Sequence, residues 1–336
     1  MGITPKTTII PAAIALTIGL TAGTANATLA LTAAGIADGF TLNVFATLNS
    51  GNNGGFGPFG VAVGGNVIVS NFPDNTIYTF HDVDGQTLAS AVNTIPGAGT
   101  STSGMAISGG NAYGRNPGTG AFAQYNANGT INHDLTGVGT STSLGMAGVL
   151  AGPEAGHIIA TSGLGLIDID PNANGGLGAI VRTYGGSADG VSVSSNGLTF
   201  CAEQGAINCY SVANGSLVST ASGFPSPDGT GLITGGAFDG DLIVNNNNGD
   251  VDLFDFATNT LTTIAAGNER GDYAMTDPTN GTLLLDESTG IYRLGLTGGC
   301  IGASCNPSVP EPSSLALLGP VFVGFGLALR RRRKPV

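Results

Sequence analysis

Residues 60–93 read GVAVGGNVIVSNFPDNTIYTFHDVDGQTLASAVN. Four short apolar runs, Val61–Val63, Val67–Val69, Ile77–Phe80 and Leu88–Val92, are separated by a Gly-Gly turn, a polar turn and an Asp/Gly turn. Runs of that length between tight turns predict four short β-strands. The pattern recurs along the chain. First strands are predicted at Val61–Val63, Met105–Ser108, Met146–Leu150, Val191–Ser194, Ala237–Phe238 and Tyr273–Thr276, each followed by a tight turn and a second strand. Third strands are predicted to end on Phe80, Tyr125, Ile169, Tyr210, Phe254 and Tyr292. The spacing of about 40 residues is that of a four-stranded propeller blade.

The sixth unit has no fourth strand of its own, while Thr41–Leu48 (TLNVFATL) precedes the first unit and resembles the fourth strands Thr87–Asn93, Ser216–Thr220 and Thr260–Ala265. A ring closes if that N-terminal strand completes the last blade, and closure removes an edge that would invite aggregation. The expectation is an all-β, six-bladed β-propeller over residues 40–297, closed by an N-terminal strand. A seven-bladed ring and an open β-solenoid are the alternatives.

Composition agrees. Glycine makes up 57 of 336 residues and follows no G-X-Y period. That excess over an average of roughly 7% indicates a turn-dense β protein. Between Thr28 and Val309 the only cationic side chains are Arg115, Arg182, Arg270 and Arg293, against 21 acids, which leaves about −17. A surface of that sign repels phosphate backbones, so no nucleic-acid partner is expected. No cofactor is called for; Ca²⁺ or another divalent cation is the one such a surface admits.

The two ends carry addresses. Residues 1–27 combine Lys6, an apolar core and Ala25-Asn26-Ala27, the pattern of a cleavable signal peptide. Residues 298–308 read as a linker. Then come Val309-Pro310-Glu311-Pro312-Ser313, an apolar segment 315–329 and Arg330–Lys334. That segment is shorter than the roughly 20 residues that span a bilayer core, but the basic cluster fits a cytoplasmic end. The tail 309–334 resembles the PEP-CTERM sorting signal, with 315–329 as its transmembrane helix. The resemblance implies recognition by an exosortase near Pro310-Glu311-Pro312. It also implies a Gram-negative host, an intermediate anchored in the inner membrane, and delivery to the cell surface or an exopolysaccharide-containing biofilm matrix.

A second resemblance lies in FGPFGVAVGGNVIVSNFPDNTIYTF, which is similar to a repeat of the NHL and SMP-30/gluconolactonase-like propellers. The lactonases of that group bind a divalent metal, with a Glu just before the first blade's Gly-Pro among its ligands. Here Gly55-Phe56 precede Gly57-Pro58. The resemblance therefore implies the fold and not the activity.

Several constellations are candidates for chemistry. Asp170, Asn172 and Asn174 fit the start of a D-x-N-x-N-G calcium loop, although Val181 stands where such a loop ends on Glu, and tight turns favour the same residues. Two near-copied loops bear Ser101, Thr102, Ser103 and Ser141, Thr142, Ser143. With Asp189, Asp228, Arg270 and Asp272 of later blades, and Phe56 and Phe59 of the first, they lead into first strands, which in a propeller gather around the axis; the hydroxyls and the three acids form a candidate ligand rim. His81, His133 and His157 are not expected to converge, and no hydrolase or phosphate-loop motif is present. Cys201 and Cys209 flank a hairpin, and Cys300 and Cys305 follow the last blade, so both pairs are disulfide candidates.

The functional expectation is a surface or matrix protein that binds exopolysaccharide or other surface proteins and is not an enzyme. The alternative is a secreted metal-dependent propeller enzyme, lactonase- or lyase-like, with axial carboxylates as ligands. The two differ in whether acids from three blades meet at one point.

Overall fold

The computed structural model describes residues 28–48, 56–97, 104–141, 145–267 and 269–302. Residues 1–27 and the chain beyond Gly302 lie outside them, and so do the expected signal peptide, the motif Val309–Ser313, the segment 315–329 and Cys305. Ser101, Thr102, Ser103, Thr142 and Ser143 also fall outside. Among the described residues no helix is long and apolar enough to cross a membrane.

The chain forms a six-bladed β-propeller. Blade 1 runs Pro58–Val63, Asn66–Asn71, Thr76–His81 and Asn93–Pro96, each strand antiparallel to the next. Blades 2 to 5 repeat this up-and-down order, with innermost strands at Ala106–Ser108, Met146–Gly148, Val191–Val193 and Pro227–Leu232. Blade 6 takes Gly271–Asp277, Thr282–Glu287 and Gly290–Leu296 from the C-terminal end of the propeller, and Phe40–Thr47 from the N-terminal end. Each innermost strand packs on the next around the full circle. The hydrophobic core is correspondingly divided into layers between neighbouring blades. One joins Val61 and Ile68 of blade 1 to Met105 and Tyr125 of blade 2. Another joins Ile243 and Val251 of blade 5 to Leu283 and Leu294 of blade 6.

Two expected strands sit elsewhere. Gly236–Phe238 is a 3-10 turn, and the innermost strand of blade 5 is Pro227–Leu232. Its sequence, PDGTGL, carries almost no apolar signal because this strand is packed from the next blade through its glycines. A Cβ on Gly231 would lie 3.0 Å from that of Ala274. In blade 1 the outer strand is Asn93–Pro96. The earlier segment Gln86–Thr87 pairs instead, in parallel, with Ala46 and Thr47 of the closing strand. A short strand at Ala30–Leu31, followed by a helix at Ala33–Ala37, adds a fifth strand to blade 5.

The seam between the chain ends is latched by one arginine. Arg293 of blade 6 is 7% exposed. Its guanidinium contacts Asp82, Asp84 (Nε–Oδ1 2.7 Å) and Asp277 (Nη1–Oδ2 2.6 Å), and its Cζ lies 5.0 Å from the Phe45 ring centroid. Asp82 and Asp84 belong to a blade 1 turn that docks on the closing strand, with the Gly85 N–H donating to Val44 O at 3.0 Å. Arg293 thus ties blade 1 to blade 6 across the strand that completes the ring.

Cys201 and Cys209 stand directly opposite in blade 4 and form a disulfide. Cys300 is also disulfide-bonded. Replacing Cys201 and Cys209 together by Ala is expected to lower unfolding free energy by about 2–3 kcal/mol, the loop-closure contribution of so short a loop, measured by urea titration.

Candidate functional site

The lead-ins to the innermost strands of blades 4, 5 and 6 place Asp189, Asp228 and Asp272 at equivalent positions. Glycine makes their approach feasible. A Cβ on Gly190 would lie 2.4 Å from the Asp228 carbonyl oxygen, and one on Gly229 would lie 2.5 Å from Tyr273 Cα. Any larger residue there would push successive blades apart. The three acids therefore line one pocket at the axial mouth, together with Phe56, Phe59 and Tyr273.

The centre of this cluster is a guanidinium. Arg270 Nη2 lies 2.8 Å from Asp228 Oδ2, and Nε lies 2.9 Å from Asp272 Oδ1. The second Asp272 oxygen accepts the Gly57 N–H at 2.5 Å. Phe56 covers the arginine, with Cζ 4.5 Å from its ring centroid. Below, the buried Tyr273 spans towards blade 3, where its hydroxyl accepts the Met146 N–H at 2.6 Å, and its ring meets Phe59 edge-on. Tyr273 thus closes the axis under the acids.

Burial disfavours charge on these carboxyls. Asp228, 5% exposed, is pushed up to about 7, because burial and the neighbouring Asp272 and Asp189 outweigh Arg270. Asp272 and Asp189 are raised by burial as well, with Arg270 opposing. The stability consequence has a definite sign. Asp228 binds its proton more tightly folded than unfolded, where its pKa is roughly 3.9. Its contribution is complete below about pH 4 and is lost as pH rises through about 7. Thermal melts from pH 4 to 8 are expected to show that decline in the native protein and a flatter profile in Asp228→Asn.

The pocket at the acids measures about 10 Å³, room for roughly one water molecule. Asp189 also lines a neighbouring polar pocket of about 410 Å³, with Thr161, Ser162, Ser187, Glu203 and Gln204. Burial raises the Glu203 carboxyl. At the opposite mouth of the axis a larger cavity of about 700 Å³ is lined by apolar, glycine, hydroxyl and amide groups without a charged side chain.

Three of the sequence candidates, Asp189, Asp228 and Asp272, line one pocket, but only Asp228 and Asp272 share a partner, and the three carboxylates do not converge on one point. Ser141 is buried beside blade 2, its N–H bonded to Gly120 O at 2.8 Å, and does not line the pocket at the acids. Asp170 turns its Oδ1 back onto the Asn172 N–H at 2.9 Å, while Asn174 adopts a left-handed conformation, so this loop is organised as a turn. Sequence reasoning missed Glu203; it placed Arg270 at the same entries but not as the partner of Asp228 and Asp272, a role signalled by its being one of only four cations between Thr28 and Val309. It also missed a convergence at His157, which lies 2.8 Å from Asp168.

A divalent metal at the axis, which the lactonase resemblance implies, does not fit these residues. Both Asp272 oxygens are taken, one by Arg270 and one by the Gly57 N–H, no imidazole faces the acids, and the side chain before Gly57 is an aromatic ring over the guanidinium. The fixed positive charge here is covalent to the chain.

Among solved structures the chain is similar to a gluconolactonase from Xanthomonas campestris, at 16% identity and a TM-score of 0.56, covering 81% of this chain and 96% of that one. It is also similar to a candidate gluconolactonase solved by the Northeast Structural Genomics Consortium, at 14% identity and a TM-score of 0.56, covering 80% of this chain and 97% of that one. These likenesses establish the gluconolactonase-like propeller fold. No protein-family model matches the chain, and no curated protein matches it in sequence.

Proposed function

We propose that this protein is an exported propeller enzyme that opens cyclic esters of polyhydroxylated acids at the axial mouth. The observation that carries the reading is a pair of carboxyls from successive blades on Arg270, Asp228 raised to about 7 and Asp272, with Asp189 of the preceding blade linking their pocket to a polar one of about 410 Å³. Sequence alone favoured a binding or structural protein over an enzyme. The gluconolactonase names of the two solved neighbours lean the other way.

In this reading the hydroxyl and amide groups of Thr161, Ser162, Ser187 and Gln204 hold the substrate's hydroxyls. A water beside Asp228 gives up a proton to that carboxylate as its oxygen attacks the ester carbonyl carbon. The bond to the ring oxygen breaks, and Asp228 returns the proton to that oxygen, leaving the hydroxy acid. A carboxyl near neutrality suits both steps at physiological pH. Arg270 supplies the positive charge that the developing oxyanion requires.

The test follows acid release from five- and six-membered aldonolactones and from their deoxy counterparts, with and without EDTA. Turnover of the hydroxylated lactones, unchanged by EDTA, is the expected result. Turnover abolished by EDTA restores a metal-dependent mechanism. No turnover with any lactone removes the catalytic reading and leaves the polar pocket as a saccharide-binding site.

Export and sorting belong to the same proposal. The signal-peptide pattern of residues 1–27 and the tail 309–334 support passage through the inner membrane, processing by an exosortase and a surface or matrix location. The Cys201–Cys209 disulfide supports an oxidising compartment. Fractionation with the C-terminal mass of the mature protein checks this part separately. A chain recovered intact from the cytoplasm argues against it.

A further inference from the structure

Far from the axial acids in sequence, the turn after the innermost strand of blade 3 and the two strands that follow bring together Glu154, His157 and Asp168. One ligand atom from each lies within 4.8 Å of the others. His157 Nδ1 is 2.8 Å from Asp168 Oδ1 and 3.5 Å from Glu154 Oε2. Two ligand atoms each about 2.1 Å from one ion are roughly 3.0 Å apart at a right angle and roughly 3.4 Å apart at a tetrahedral one. The 3.5 Å edge matches the tetrahedral value, and the 2.8 Å edge, a hydrogen bond in this structure, lies just under the right-angle one.

The remaining oxygens are held from behind. Arg182 Nη1 lies 3.0 Å from Asp168 Oδ2, and Nη2 lies 3.7 Å from Glu154 Oε1. Each carboxylate therefore turns one oxygen to His157 and the other to Arg182. Arg182 is anchored in turn by the carbonyl of Val212 in blade 4, at 2.8 Å. An outer group that fixes the orientation of the ligands in this way is a regular part of metal sites. The Asp168 side chain is fully buried, whereas those of His157 and Glu154 are 15% and 24% exposed, so an ion has access from one side. Ala155 and Gly156, between the two ligands of the turn, line the cavity of about 700 Å³ at the second mouth.

We propose that Glu154, His157 and Asp168 form a divalent metal site of zinc type at the wall of that cavity, with Arg182 as the positioning residue. An imidazole nitrogen with two carboxylates suits zinc better than calcium or magnesium, which take oxygen shells. Three protein ligands leave a further position for water or for an occupant of the cavity. The site is separate from the axial mouth and does not rest on the lactone reading.

The experiment is zinc titration of the purified, metal-stripped protein by calorimetry, with retained metal quantified after dialysis. Cobalt replaces zinc in a parallel absorption measurement that reads the coordination geometry. One equivalent per chain is expected. Glu154→Gln and His157→Gln, each checked by a melt without metal, should lose more than the roughly 10–100-fold that outer-shell changes cost. Asp228→Asn should bind as the native protein does. Zinc binding undiminished in both ligand variants overturns the proposal, as does its absence from the native protein. A variant that fails to fold is replaced by the cobalt spectrum of the native protein: an octahedral, all-oxygen spectrum rejects imidazole ligation.

Discussion

Arg293→Met is expected to destabilise the propeller by about 3–5 kcal/mol, the usual consequence of removing one partner from a buried ion pair. For a domain of this size that corresponds to a fall in Tm of roughly 6–20 °C. The cause is what the substitution leaves behind. Asp82 and Asp277 keep buried carboxylates at the seam without their counter-charge, and the blade 1 turn loses its hold on blade 6. The Phe45 ring, which receives the guanidinium on the closing strand, loses that contact too. Arg293→Lys should recover only part of the loss. One ammonium cannot present Nε, Nη1 and Nη2 to three carboxylates. Urea and thermal unfolding of the three proteins measure this directly. A Met variant within about 1 kcal/mol of the native protein would mean that the seam is held by strand pairing and the apolar layer alone.

The second large effect concerns chemistry. Asp228→Asn is expected to lower kcat for lactone opening by roughly 10²–10⁴-fold, the range for loss of a general acid–base group. KM should change little, because the substrate's hydroxyls are held in the neighbouring pocket. Stability near pH 7 should not fall, since the amide resembles the protonated carboxyl that burial already favours. Asp189→Asn and Glu203→Gln should instead act mainly on KM, because both residues line the larger pocket. Steady-state kinetics on the best lactone separate the two patterns. An Asp228→Asn variant with native kcat would remove Asp228 from the reaction.

Much of the architecture is local information repeated. Short apolar runs between Gly, Asp and Asn turns mark individual strands, as at Val67–Val69 and Ile77–Phe80, because a strand packed between two blades is buried on both faces. The missing fourth strand of the last unit pointed to Thr41–Leu48, and the structure uses Phe40–Thr47 for the same reason: an unpaired edge needs a partner. The innermost strand of blade 5 was not legible. It is packed by glycines at close quarters, so the hydrophobic pattern that signals a strand is absent from it.

Sequence by itself determined the blade repeat, the closing strand, the acidic surface and the equivalent positions of Asp189, Asp228 and Asp272. Tertiary structure alone decided what stands among those acids and what meets elsewhere. Arg270 lies 42 residues along the chain from Asp228, yet its Nη2 is 2.8 Å from that carboxylate. Arg293 reaches Asp82 across 211 positions, because ring closure brings the two ends of the propeller side by side. Glu154 and His157 meet Asp168 through a strand register that depends on how blade 3 pairs. Short-range periodicity encodes strands, since their sterics and burial are set by near neighbours. Which charges neutralise one another depends on the distances between blades, and those exist only once the ring has closed.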